Sequence, residues 1–78
     1  MILLHRVKYA NAKEEVVEVW VNWQRIFRIF PYTPKPGENT VKASYVEMEE
    51  DHSWDPFFVI ETPEQICDLI RKEKKNER

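Results

Sequence analysis

Apolar and polar positions alternate along much of the first half of this chain. Ile2 to Val7 is apolar and β-compatible and predicts a first strand. Tyr9 to Lys13 reads as a turn-like break. From Glu15 to Asn22, Val17, Val19 and Val21 alternate with Glu18, Trp20 and Asn22, the two-residue period of a half-buried second strand. β-Branched valines in alternate positions favour a pleated surface. Between Trp23 and Phe30 two periods overlap. Trp23, Ile26, Phe27 and Phe30 stand at helical spacing, yet Arg25, Phe27 and Ile29 alternate with Ile26, Arg28 and Phe30, and Pro31 follows. We read a tight turn over residues 22–25 and a third strand from Ile26 to Phe30, with a short helix as the alternative.

Residues 31–39 hold three of the five prolines and the only glycine, which predicts a loop. Thr40 to Glu49 predicts a fourth strand, and Glu50 to Pro56 a polar hairpin connection. Phe57 to Glu61 predicts a fifth strand. It is apolar on both parities from Phe57 to Ile60, so it is expected at the centre of the sheet and covered on both faces. Thr62, Pro63 and Gln65 then form a capping box with proline at the first helical position, and Glu64 suits the positive end of the helix dipole. Ile66, Leu69 and Ile70 predict the buried stripe of that helix. Residues 71–78 carry no apolar side chain, and fraying is expected there.

These elements predict an α+β fold, a small mostly antiparallel sheet of about five short strands packed with one C-terminal helix. At 78 residues the chain allows one domain, assigned to residues 1–73 with a charged tail over 74–78. A domain this short buries only about 60% of the surface its unfolded chain exposes. Ten aromatic rings, 13% of the residues, compensate, since each can bury about 150–250 Å².

Net charge is −2, but the charge is sorted along the chain: +3 over residues 1–45, −8 over 46–70, +3 over 71–78. Such asymmetry can mark a surface for a charged partner, but the favoured reading is that the acidic strand, turn and helix start sit beside basic strands in the fold. The lone Cys67 cannot close an intrachain disulfide, which fits a reducing compartment or indifference to redox state. No apolar run approaches a signal-peptide core or a membrane span, so a cytoplasmic protein without membrane insertion is expected.

Met1-Ile2-Leu3-Leu4 opens the chain, Val21-Asn22 ends the second strand, Ile26 and Ile29 lie on the third, and Val59-Ile60-Glu61-Thr62-Pro63-Glu64-Gln65-Ile66 runs from strand into capped helix. In this order of features the chain resembles the small FlbD-like (swarming-motility) family of bacterial flagellar proteins. The layout is also similar to the LytTR DNA-binding domain and to small phage and prophage proteins. The loop at 31–39 and the segment around Trp54 depart from the flagellar pattern, which has a tight Asn-Gly-type turn in that region. The FlbD-like resemblance implies no enzymatic activity.

Candidate chemistry is sparse. Cys67 has no histidine near it in sequence to serve as a base, and it reads as a structural or semi-exposed thiol. Asp51, His52 and Asp55 lie too close together in one loop to surround an ion unaided, so a solvated turn is expected and no metal. Glu47 and Glu49 share one face of a strand, the usual solvent face, and one glycine cannot build a phosphate-binding loop. No catalytic residue, cofactor or small-molecule substrate is therefore expected. Trp20, Trp23 and Trp54 are the candidate partner anchors, because tryptophan is enriched at interface hot spots and ten rings strain the capacity of a thin core. Arg25, Arg28, Glu47 and Glu49 are the charged residues expected to flank them. The expected function is a non-enzymatic protein-binding module, a bacterial or phage accessory or inhibitor acting on another protein or on a second copy of itself. The alternative is a nucleic-acid-binding regulator, with Arg6, Lys8, Arg25 and Arg28 on phosphates beside Trp20 or Trp23. The net charge argues against it.

Overall fold

A computed structural model describes residues 1–49 and 56–76. Among them the strands β1 (Ile2–Ala10), β2 (Lys13–Val21), β3 (Ile26–Pro31), β4 (Ser44–Met48) and β5 (Phe57–Val59) precede one helix, α1 (Pro63–Asn76). The strands form a single antiparallel sheet in the order β2-β1-β5-β4-β3. The protein is thus an α+β domain, with the last strand in sequence at the centre of the sheet.

The first hairpin is longer than alternation predicted. Only Asn11 and Ala12 turn the chain, and both have positive φ (53° and 65°). A two-residue turn of that hand matches the twist of the flanking strands, so pairing runs from Ala10 opposite Lys13 to Ile2 opposite Val21. Tyr9 and Lys13, expected in a turn, are strand residues.

The overlapping periods over 23–30 have a single explanation. Trp23–Arg25 forms one 3-10 turn capped by the Asn22 side chain, which accepts from the Gln24 N–H at 3.1 Å. β3 then follows with a bulge between Ile26 and Arg28. The extra residue shifts the parity of the strand, so Ile26 and Ile29 both reach the core although they lie three apart.

Strand four is shorter than expected, because residues 40–43 belong to the loop that begins at Tyr32. Strand five stops at Val59. The Ile60 N–H still donates to the His5 carbonyl at 3.1 Å, and the Glu61 carboxylate then accepts from the His5 N–H at 3.0 Å in place of a further strand residue. The capping box forms as the sequence predicts: Gln65 N–H donates to Thr62 Oγ1 at 3.1 Å, and Thr62 N–H donates to Gln65 Oε1 at 2.9 Å. The helix does not fray after its apolar stripe but continues to Asn76. Lys and Glu are good helix formers, and Lys74 and Lys75 suit the negative end of the dipole.

Helix α1 closes one face of the sheet. Ile2, Leu4, Val21, Val46, Phe57, Val59 and Ile66 form the buried core, edged by Trp23, Ile26, Ile29, Met48, Leu69 and Ile70. The N-terminal ammonium meets Glu73 at 3.1 Å, so the helix runs back along β1 towards its start. β5 is central, but the expectation of cover on both its faces holds for one only: Phe57 and Val59 are buried, whereas Phe58 on the opposite face is half-buried.

Candidate interaction face

The face of the sheet away from α1 carries the protein's most distinctive surface. One rung of the register crosses all five strands: Val16, Val7, Phe58, Tyr45 and Phe30. Every member is apolar or aromatic. Val7 is buried between its neighbours, Phe58 and Tyr45 are half-buried, and the two ends, Val16 and Phe30, are 43% and 41% exposed. The rings touch in sequence, with centroids 6.3 Å apart for Phe30–Tyr45 and 4.9 Å for Tyr45–Phe58, and Tyr32 meets Phe58 edge-on at 5.3 Å.

Two cations sit on these rings. Arg28 lies 4.9 Å from the centroid of Phe27 and 5.4 Å from that of Phe30, and its Nε donates to Glu47 Oε1 at 2.7 Å. Lys42 Nζ lies 4.6, 4.7 and 5.3 Å from the ring centroids of Phe58, Tyr9 and Tyr32. The tyrosine oxygen of Tyr9, together with the nearby charge, holds the Lys42 ammonium above its ordinary value.

The 32–43 loop is fastened beside this face by two carboxylates. Glu14 on β2 accepts from the Thr40 hydroxyl and from the Val41 N–H, which hold its carboxyl below the ordinary glutamate value. Glu38 accepts from the Lys35 N–H at 3.0 Å and from the Tyr32 hydroxyl at 2.7 Å; these bonds lower the Glu38 carboxyl and raise the Tyr32 phenol. The turn between Lys35 and Glu38 needs Gly37 at φ 82°.

The structure separates the candidate anchors. Trp20 is 62% exposed on the open face, opposite Leu3. Trp23 packs against the edge of the core with Lys74 over its ring, a structural position. Arg28 and Glu47 are brought together on the open face, whereas Arg25 and Glu49 lie on the surface and are joined through their backbone, Glu49 N–H to Arg25 C=O. Trp54, and with it Asp51, His52 and Asp55, lies outside the described residues. Phe27, Phe30, Tyr45, Phe58 and Lys42 were not singled out by sequence reasoning. Their alternation with core residues was visible; that only one face of the sheet is covered was not.

A second polar cluster lies where β5 passes into α1. His5 Nδ1 is 2.6 Å from Glu61 Oε2, and His5 Nε2 is 3.9 Å from Glu18 Oε2. His5 and Glu61 border an open groove of about 680 Å³ with Leu3, Ile60, Gln65 and Leu69. Ser44 is buried nearby, and its hydroxyl donates to the Glu61 carbonyl at 2.6 Å. The His5–Glu61 pair binds the crossover to β1 through both the ring and the backbone of His5. Cys67 is exposed on α1. Among the described residues no group of three or more His, Cys, Asp or Glu side chains could hold a metal ion, and no helix is long and apolar enough to cross a membrane.

Comparisons with protein-family models, curated proteins and solved structures returned no match to this chain.

Proposed function

We propose that this domain is a non-enzymatic protein-binding module that meets its partner with the open face of its sheet. The observation that carries this reading is the apolar rung from Val16 to Phe30, extended by the exposed Phe27 and Trp20. A face of this kind, half-buried at its centre and rimmed by charge, has the anatomy of an interface: an apolar core with aromatic and arginine anchors inside a polar rim. Several of its charged groups are held by neighbours within the fold, Arg28 by Glu47, Glu14 by Thr40 and Val41, and Glu38 by Tyr32, which suits a contact surface.

Site-specific photocrosslinking tests the proposal. A benzophenone side chain at Phe30 should capture a partner protein in the cells that make this chain, and the same group at the exposed Arg71 on α1 should not. A Phe27→Ser, Phe30→Ser double variant should keep the fold, because both side chains are exposed, and should lose the partner. Capture from Arg71 alone, or full retention of the partner by the double variant, would contradict the reading.

One observation favours a second reading. Arg28 against Phe27 and Phe30 on a sheet face resembles a platform on which single-stranded bases stack. Glu14, Glu18 and Glu47 stand on that same face, however, and the net charge of −2 opposes a polyanion. Anisotropy with single-stranded and duplex probes across a salt series separates the two. Binding that weakens with salt and is lost in an Arg25→Glu, Arg28→Glu double variant would replace the protein-binding reading by the regulator.

A further inference from the structure

The sheet ends on β2 and β3, and the two edges differ. β3 carries a bulge between Ile26 and Arg28 and ends at Pro31, both of which discourage a further strand. β2 runs for nine residues without interruption. The direction of its backbone groups follows from β1. The His5 N–H and C=O bond away from β2, to Glu61 and Ile60, so the odd residues of β1 face β5 and the even ones face β2. Even residues of β1 pair with odd residues of β2, which leaves Glu14, Val16, Glu18 and Trp20 with their N–H and C=O directed outward. No hydrogen bond from the described residues reaches these groups.

We propose that a second copy of this chain pairs with this edge, antiparallel, β2 against β2, with the two-fold axis at Val17. Charge selects the register. Outward-facing groups must meet outward-facing groups, so even residues pair with even ones. Three such registers join seven or more strand residues. Centring on Val16 places Glu14 opposite Glu18 of the second copy. Centring on Glu18 places that residue opposite itself. Centring on Val17 is the longest of the three and sets no glutamate against another: Val17 faces Val17, Val16 faces Glu18, Glu15 faces Val19 and Glu14 faces Trp20. Like charges directly opposed destabilise a strand pair, so the Val17 register wins. The product is one ten-stranded sheet in which the two open faces become continuous, and the exposed indole of Trp20 gains a neighbour. This inference stands apart from the proposed protein-binding role, since it concerns the strand edge rather than the face.

Sedimentation equilibrium of the intact protein should show a dimer. Val16→Pro removes an outward N–H without breaking the β1 ladder and should yield a monomer with an unchanged circular dichroism spectrum. Cysteine substitutions on a Cys67→Ser background give a second readout that needs no loss of fold. Val17→Cys places two thiols across the axis within disulfide reach and should crosslink on mild oxidation, whereas Glu15→Cys and Val19→Cys should not. A monomer at millimolar concentration, a Val16→Pro protein that remains dimeric, or crosslinking at residue 15 or 19 as fast as at residue 17 would each overturn the proposal.

Discussion

Ile66 is the side chain through which the helix holds the sheet, and truncating it gives the sharpest test of the fold. It is fully buried and stands among Ile2, Leu4, Val46 and Val59. Ile66→Ala removes three carbons. At about 0.8 kcal/mol for each buried methylene the transfer loss is about 2.4 kcal/mol. The rigid sheet beneath cannot collapse fully onto the vacated space, and the cavity brings the cost to about 3–4 kcal/mol, inside the usual range of about 2–5 for such truncations. At about 0.05–0.15 kcal/mol per residue the whole domain is stable by about 4–12 kcal/mol, so this one change removes a large share. Urea unfolding followed by far-ultraviolet circular dichroism should show the midpoint falling with an unchanged slope. The melting temperature should drop by roughly 12 °C or more, at about 4–8 °C per kcal/mol for a domain of this size. Cys67→Ala, one residue on but exposed, should change stability by no more than about 0.5 kcal/mol. Equal effects of the two substitutions would refute the assignment of the helix to this face.

Thr62→Ala removes the hydroxyl that accepts from the Gln65 N–H, while leaving the backbone bond from Thr62 N–H to Gln65 Oε1, and should cost about 0.5–2 kcal/mol in the same urea assay. Ala12→Gly should stabilise the protein by about 0.5–1 kcal/mol in thermal melts, because Ala12 holds φ 65°, which glycine adopts without a clash. Glu14 and Glu38 have folded values below the ordinary 4.5, so their contribution is fully present above that pH and is lost as pH falls through the lowered values. A Glu14→Gln, Glu38→Gln variant should therefore show a flatter acid limb in stability measured against pH. Lys42→Met keeps the apolar stem but removes the charge over three rings; it should lower stability by about 0.5–1 kcal/mol and change the near-ultraviolet circular dichroism of the tyrosines.

What the sequence determined by itself was local. The valine alternation, the proline-rich loop and the Thr62–Gln65 box each act over a few neighbouring residues, and each element they predict is present with only its ends displaced. The centrality of β5 was also legible, because an apolar run on both parities is stable only away from an edge. Tertiary structure decided the rest. The helical spacing of Trp23, Ile26, Phe27 and Phe30 resolved into a 3-10 turn at Trp23 and a bulged strand after it only once β4 was there to pair with that strand. Residues 40–43 left the fourth strand because Glu14, distant in sequence, offered Thr40 and Val41 a carboxylate. His5 and Glu61 meet across 56 residues, a separation over which no spacing rule reaches. Above all, one helix can cover only one side of a five-stranded sheet. Alternation makes Phe58, Tyr45 and Phe30 look like core as much as Val59, Val46 and Ile29 do, and only the choice of face made by α1 leaves the first set outside the core that the helix closes.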